Sequence, residues 1–164
     1  MKILGLDPGL RFTGWGLIDS VDNRLSFISC GRVVVPDTLE MAERLAFLHN
    51  ALDTILNETR PDQAAVEETF SNVNAKSTLK LGMARGVVLL APALKNIPVG
   101  EYSANTIKKT VVGAGHADKT QIQHMVKMLL PRADFTSADA ADALAIAICH
   151  AHHVQTQQRL KTAR

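Results

Sequence analysis

Cysteine is scarce: Cys30 and Cys149 are the 2 in 164 residues. Without an export signal a disulfide framework is excluded, and both read as buried thiols of a cytoplasmic protein. The opening Met1-Lys-Ile-Leu-Gly-Leu-Asp7 has one Lys and a short apolar run, too little for a signal peptide. Lys, Glu, His or Asp interrupts every apolar stretch before it reaches the length of a membrane span, so no membrane is expected as a partner. There is no internal repeat and no interdomain linker. There is also no Gly-Lys phosphate loop of the Walker type, which argues against a P-loop nucleotide site. What is present is the composition of one globular domain: 164 residues, 46% hydrophobic, mean hydropathy +0.05. The folded domain is expected over 1–154. A flexible basic tail is expected over 155–164, where Gln155, Gln157, Gln158, Arg159, Lys161 and Arg164 crowd together.

Net charge is only +2, but it is divided unevenly. Acids dominate residues 1–70 and bases dominate 71–164. The second half carries Lys76, Lys80, Arg85, Lys95, Lys108, Lys109, Lys119, Lys127 and Arg132, opposed between those ends only by Glu101 and Asp118. A half-molecule field of this sign favours a polyanion such as nucleic acid. The plainer reading is a solvated lysine face, and composition alone does not separate the two.

Residues 2–7 read as a strand ending at Asp7-Pro8-Gly9, since Pro8 cannot continue a central strand and Gly9 permits a tight turn. Residues 12–19 and 25–35 read as two more strands around an Asp22-Asn23 turn, an antiparallel meander. Asp37 or Thr38 is expected to cap a long helix with Met41, Leu45, Leu48, Leu52 and Ile55 as its apolar stripe, closed by Pro61. Gln63-Ala-Ala-Val-Glu67 is apolar enough for a central strand. A helix follows over 75–90 with Leu79, Met83, Val87 and Leu90 as a stripe, then a strand over 97–102. Ser103 and Asp118 are placed to cap helices reaching Val112 and Leu130.

The last helix begins near Thr136-Ser-Ala-Asp-Ala-Ala-Asp142 and is rich in Ala and Leu. Asp139 and Asp142, three apart, share one face. A helix apolar nearly all round is buried, and two carboxylates on it are costly without a cation. Thr136 as N-cap would put Asp139 at N3 of a capping box, which accounts for Asp139 but not for Asp142. Carboxylates also stand where two strands stop, at Asp7 and at Glu67-Glu68. Alternation puts Glu67 and Glu68 on opposite faces without saying which faces the site. If the first and fourth strands are parallel neighbours, four acids meet with no Lys or Arg in their motifs. Such a set repels itself unless cations intervene. Oxygen-only ligation suits Mg²⁺, with Mn²⁺ able to substitute, and such ions in pairs hydrolyse phosphodiesters.

Ile3-Leu-Gly-Leu-Asp-Pro-Gly9, Ala65-Val-Glu-Glu-Thr-Phe70, Leu79-Lys-Leu-Gly-Met-Ala-Arg-Gly86, Lys109-Thr-Val-Val-Gly113 and Ala138-Asp-Ala-Ala-Asp-Ala-Leu-Ala145 together resemble the RuvC family of Holliday-junction resolvases, in register over 2–152. The resemblance implies an RNase H-like α/β fold, with a central mixed five-stranded sheet (three antiparallel strands, then two parallel) flanked by helices. It implies a homodimer that nicks a four-way DNA junction symmetrically in recombination and repair, leaving 5′-phosphate and 3′-hydroxyl ends. It implies Asp7, Glu67, Asp139 and Asp142 as the metal-binding and catalytic tetrad, choosing Glu67 over Glu68, with two Mg²⁺ per subunit. It implies Lys108 and Lys119 as basic residues near the scissile phosphate, with Lys119 among the catalytic residues. Phe70, Lys76, Lys80, Lys108 and Lys119 would contact DNA, Phe70 by stacking on a base at the opened crossover. The helix over 75–90 would contribute to the dimer interface, and RuvA–RuvB would be the partner motor. The rival readings are another RNase H-like nuclease acting on RNA or RNA–DNA hybrids, a DNA-binding module without catalysis, and an actin-like phosphotransferase sharing the Asp-x-Gly hairpin. His150, His152 and His153 read as solvent-facing rather than zinc ligands. His116, in the glycine loop near Lys119, could reach phosphate.

Overall fold

The computed structural model describes residues 1–68, 74–115 and 117–162. Three strands open the chain: β1 (Lys2–Asp7), β2 (Phe12–Val21) and β3 (Arg24–Val34). They pair antiparallel in sequence, and a two-residue turn at Asp22-Asn23, φ 47° and 74°, closes the second hairpin. Positive φ at both positions suits the twist of a hairpin, and Asp and Asn tolerate it. α1 (Met41–Thr59) then crosses over to β4 (Gln63–Glu68), which lies parallel to β1. α2 (Ala75–Leu94) leads to β5 (Val99–Ser103), parallel to β4. The sheet order is β3-β2-β1-β4-β5, the mixed five-stranded sheet expected. α3 (Ala104–Val112), α4 (Lys119–Leu129) and α5 (Ala138–Thr162) complete the chain.

The sheet separates two cores. On one face Leu4, Leu6, Leu17 and Val66 pack against Leu48, Leu52 and Leu56 of α1 and Ala84, Val88 and Ala91 of α2. On the other, Ile3, Ile18 and Ala65 pack against α3, α4 and α5, with Leu144, Ile146 and Ile148 among the fully buried side chains. The alternation of β1 and β4 sorts these residues, neighbours in sequence going to opposite faces.

Caps follow the expected residues in two places. Ser103 Oγ accepts from the Thr106 amide at 3.2 Å, and Asp118 Oδ1 accepts from the Gln121 amide at 2.8 Å in a full capping box. Two others shift. α1 is capped by Glu40 in a reciprocal box with Glu43, rather than by Asp37 or Thr38. At α5 it is Ser137 whose Oγ accepts from the Ala140 amide at 3.2 Å, so Thr136 is not the cap and Asp139 stands one place short of N3. Asp139 is thereby freed from capping. α1 buries Leu56 where the stripe had placed Ile55. The stretch 155–162, expected to be flexible, is helical in the continuous α5, where no Gly or Pro interrupts it; Gln155 Nε2 donates to Ser20 Oγ at 3.0 Å. Both cysteines are free thiols, Cys149 buried but Cys30 only half-buried.

Candidate active site

One row of the pleated sheet builds the site. β1 pairs Asp7 with Gly14 of β2, and β2 pairs Gly14 with Arg32 of β3. On the other side Leu6 pairs with Val66, so the next residues, Asp7 and Glu67, are neighbours at the carboxyl ends of two parallel strands. Glu67 pairs in turn with Tyr102 of β5. Ala65 belongs to the α5-side core and Val66 to the other, so parity turns Glu67 toward α5 and Glu68 away. The choice between the two glutamates, open on strand periodicity, is settled by which face α5 covers.

α5 lies against this row at backbone contact. A Cβ on Gly14 would stand 2.0 Å from the Asp139 carbonyl oxygen, and one on Gly5 would stand 2.0 Å from that of Ala143. Glycine at these two positions lets the helix settle onto β1 and β2, bringing its first turns to the end of β1. Thr13, fully buried, fastens the intervening turn: its hydroxyl donates to the Gly9 carbonyl at 2.6 Å and accepts from the Gly9 amide at 3.3 Å.

The resulting cleft, about 300 Å³, is lined by Asp7, Glu67 and Asp142, by Lys108 of α3 and Lys119 of α4, and by the apolar Ile107, Ile122 and Ala145. Burial, then the Glu67, Asp142 and Asp139 carboxylates, push Asp7 up to about 8, against the pull of Lys119. Burial and Asp142 raise Glu67, with Lys108 and Lys119 opposing. Asp142 is raised by burial and by Asp139, while Lys119 and Lys108 lower it. Cationic charge is therefore the missing complement of the acids, and two lysines supply only part of it. An oxygen-only donor set, partly desolvated and unable to ionise fully alone, fits hard divalent cations. Among the described residues no three such groups are already gathered in coordination geometry. The fourth acid explains part of this: Asp139 is absent from the cleft lining, and its Oδ2 is turned to Arg32 Nη1 at 3.4 Å.

Of the other expected residues, Lys76 and Lys80 are exposed on the first turns of α2 and do not line the cleft. Lys109 is exposed beside it. Phe70 and His116 lie outside the described residues. Of the histidines in the middle of α5, His150 and His153 depart from expectation, while His152 is exposed as expected. His150 is buried, 6% exposed, with Nδ1 2.8 Å from the Tyr102 hydroxyl and Nε2 2.7 Å from Gln63 Oε1. Since Gln63 Oε1 can only accept, Nε2 carries the proton and Nδ1 accepts from Tyr102. Burial holds this imidazole neutral, its pKa lowered to about 4. His153 stacks on the Tyr102 ring at 4.8 Å. These contacts pin α5 to β4 and β5. Sequence periodicity carried no sign of them, nor of Arg85, whose Nε donates to the Glu67 carbonyl at 3.3 Å and whose Nη2 pairs with Glu101.

Comparison with known proteins gives one answer. The model of the family described as Crossover junction endodeoxyribonuclease RuvC matches residues 3–150. The crossover junction endodeoxyribonuclease RuvC of Rhodopseudomonas palustris (strain BisA53) is 62% identical over 161 residues, 98% of this chain and 92% of that protein. The structure of T. thermophilus RuvC in complex with Holliday junction substrate superposes with a TM-score of 0.89 at 30% identity, covering 96% of each chain. A yeast mitochondrial Holliday junction resolvase, at 11% identity, shares the fold with a TM-score of 0.67 over 96% of this chain and 83% of its own.

Proposed function

The chain belongs to the RuvC family of crossover junction endodeoxyribonucleases, and from that premise we propose how its cleft cuts a four-way DNA junction. The protein is a DNA hydrolase with an RNase H-like fold. The observation that carries the site assignment is the meeting of Asp7, Glu67 and Asp142 in one cleft facing Lys108 and Lys119, with Asp139 at its edge. Asp7, Glu67, Asp142 and Asp139 would hold Mg²⁺, or Mn²⁺ in its place, two ions per subunit being the number that suits phosphodiester hydrolysis. Such ions supply Lewis acidity, easing proton loss from water and offsetting charge on phosphate oxygens. The protein's own groups do the rest. Lys119, at the first turn of α4, and Lys108 attract the strand and stabilise charge developing at the scissile phosphate. Ile107 and Ile122 wall the cleft with apolar surface, which strengthens each of these electrostatic contacts. Breaking the P–O3′ bond leaves 5′-phosphate and 3′-hydroxyl ends. Lys76 and Lys80 serve DNA contacts outside the cleft.

The active assembly is a homodimer. α2 presents Leu79, Met83, Leu90 and Leu94 at 62, 40, 50 and 63% exposure. The helix is long and apolar enough to cross a membrane. Lys76, Lys80 and Arg85 punctuate it, however, and Arg85 is engaged with Glu101. A second copy of this chain is the occupant that suits both the apolar stripe and paired cuts, since a two-fold axis presents two like sites to two like strands. RuvA–RuvB as branch-migration partner and a cytoplasmic location rest on family membership.

The test is nicking by the dimer, in Mg²⁺, of a synthetic four-way junction, a linear duplex of the same sequence and an RNA–DNA hybrid, with Asp7→Asn as control. Paired symmetric nicks confined to the junction are expected, and none from the control. Equal cleavage of the hybrid would move the substrate to RNA, the rival reading.

A further inference from the structure

Arg32 has no part in the chemistry above, yet it stands in the row that builds the site. Through Gly14 it is the next side chain along from Asp7 on the α5 face. The Asp139 backbone fills the gap that Gly14 leaves. Asp139 therefore sits between a guanidinium and an acidic cleft, and its Oδ2 lies on the guanidinium side, 3.4 Å from Arg32 Nη1. The Phe12 ring holds that guanidinium in place, 4.4 Å from Cζ to the ring centroid.

We propose that Arg32 is a positioning residue of the metal site, holding the Asp139 carboxylate out of the cleft while no cation is bound and yielding it when one arrives. The inference rests on the metal-dependent reading above. From beside Arg32, Asp139 already adds to the repulsion that lifts Asp7, and turned further inward without a cation it would add more. Paired with Arg32, the same carboxylate adds less to that repulsion. A divalent ion in the cleft offers Asp139 a larger charge. The Arg32 and Asp139 side chains are 38% and 30% exposed, so solvent weakens their pairing and the exchange is readily reversible. Cation–π contact with Phe12 keeps Arg32 at its post after the carboxylate leaves.

The experiment is calorimetric titration of the DNA-free full chain with Mn²⁺, for the parent, Arg32→Ala, Asp139→Asn and the double variant. Thermal melts in EDTA and in saturating Mn²⁺ accompany it. Arg32→Ala is expected to bind Mn²⁺ about two- to five-fold more tightly, the range of a partly exposed ion pair that no longer has to break. It should melt lower than the parent in EDTA but equally in Mn²⁺. In the Asp139→Asn background, Arg32→Ala should leave Mn²⁺ affinity unchanged. Equal tightening in both backgrounds would mean that Arg32 merely contributes positive charge, and would overturn the proposal. So would unchanged affinity in both, provided the parent binds Mn²⁺. A parent that binds no Mn²⁺ would remove the metal reading itself.

Discussion

The two faces of the sheet are built from the same strands to opposite ends. On the α1–α2 face, Leu4, Leu6, Leu17 and Val66 meet aliphatic side chains of two helices. On the α5 face the same strands present Ile3 and Ala65, then Asp7 and Glu67 one step further along. Between them run Gly5 and Gly14, which let α5 approach to backbone contact. Both faces bury an apolar cluster. The second also gathers the acids of the cleft, where burial and mutual repulsion raise the carboxyl groups. Alternation along a strand allows both, because adjacent residues never share a face.

The sharpest way to break this comparison is to neutralise each of two adjacent glutamates. Glu67→Gln should lower junction cleavage by about two orders of magnitude or more, as loss of one electrostatic partner of the transition state does. Glu68→Gln, on the other side of the sheet, should cleave within about two-fold of the parent. A comparable loss in both, measured as single-turnover rates, would erase the distinction between the faces.

Next in size is a deletion in the aliphatic core. Leu52→Ala, at a fully buried position of α1, should cost about 2–5 kcal/mol of stability. Below its melting temperature its cleavage rate should match that of the parent. A large rate loss in the folded variant would mean that the two cores are coupled through the sheet.

The third is a pH effect with opposite signs on the two faces of the problem. Asp7 keeps its proton up to about pH 8 in the folded protein but loses it near 3.8 when unfolded. Between those values the folded state binds more protons, so stability falls as pH rises. Glu67 and Asp142 are shifted in the same direction. Melts in EDTA from pH 5 to 8.5 should show a falling midpoint, flattened in Asp7→Asn. Each kcal/mol corresponds to about 2–4 °C for a domain of this size. Cation binding displaces those protons, so Mg²⁺ affinity should rise over the same interval. A midpoint that rises with pH in EDTA would show that the acids are not desolvated.

Smallest is Lys119→Ala. It should slow cleavage and make junction binding less salt-dependent, by about one unit of slope for one lost phosphate contact. An unchanged rate would remove Lys119 from the site.

Much of this was legible without coordinates because the signals are local. Apolar runs closed by Pro8 and Pro61, and cap residues such as Ser103 and Asp118, act over a few positions, so β1, β4, α3 and α4 stand close to where periodicity put them. The acids at strand ends and on α5 were visible for the same reason. What was not legible depends on partners far along the chain. Periodicity groups Leu79, Met83 and Leu90 into one stripe but cannot say that their own chain leaves them exposed. His150 looked like one of a solvent-facing cluster because its partners, Gln63 and Tyr102, are contributed by two strands distant in sequence. Arg32 is one basic residue in a strand until the register sets it beside Gly14. The caps of α1 and α5 differ less from the sequence pattern, a choice among neighbouring polar residues that only the backbone turn decides.

The parallel pairing of β1 with β4, and the return of α5 across both, impose an order on synthesis. A ribosome that has released residues 1–130 has made Asp7, Glu67 and both lysines of the cleft, but not Asp142. Asp139 and Asp142 come from the last helix, and that helix must first find the track prepared by Gly5 and Gly14. Until α5 docks, the acids at the ends of β1 and β4 stand without the helix that supplies Asp142 and Ala145 to the wall of the cleft.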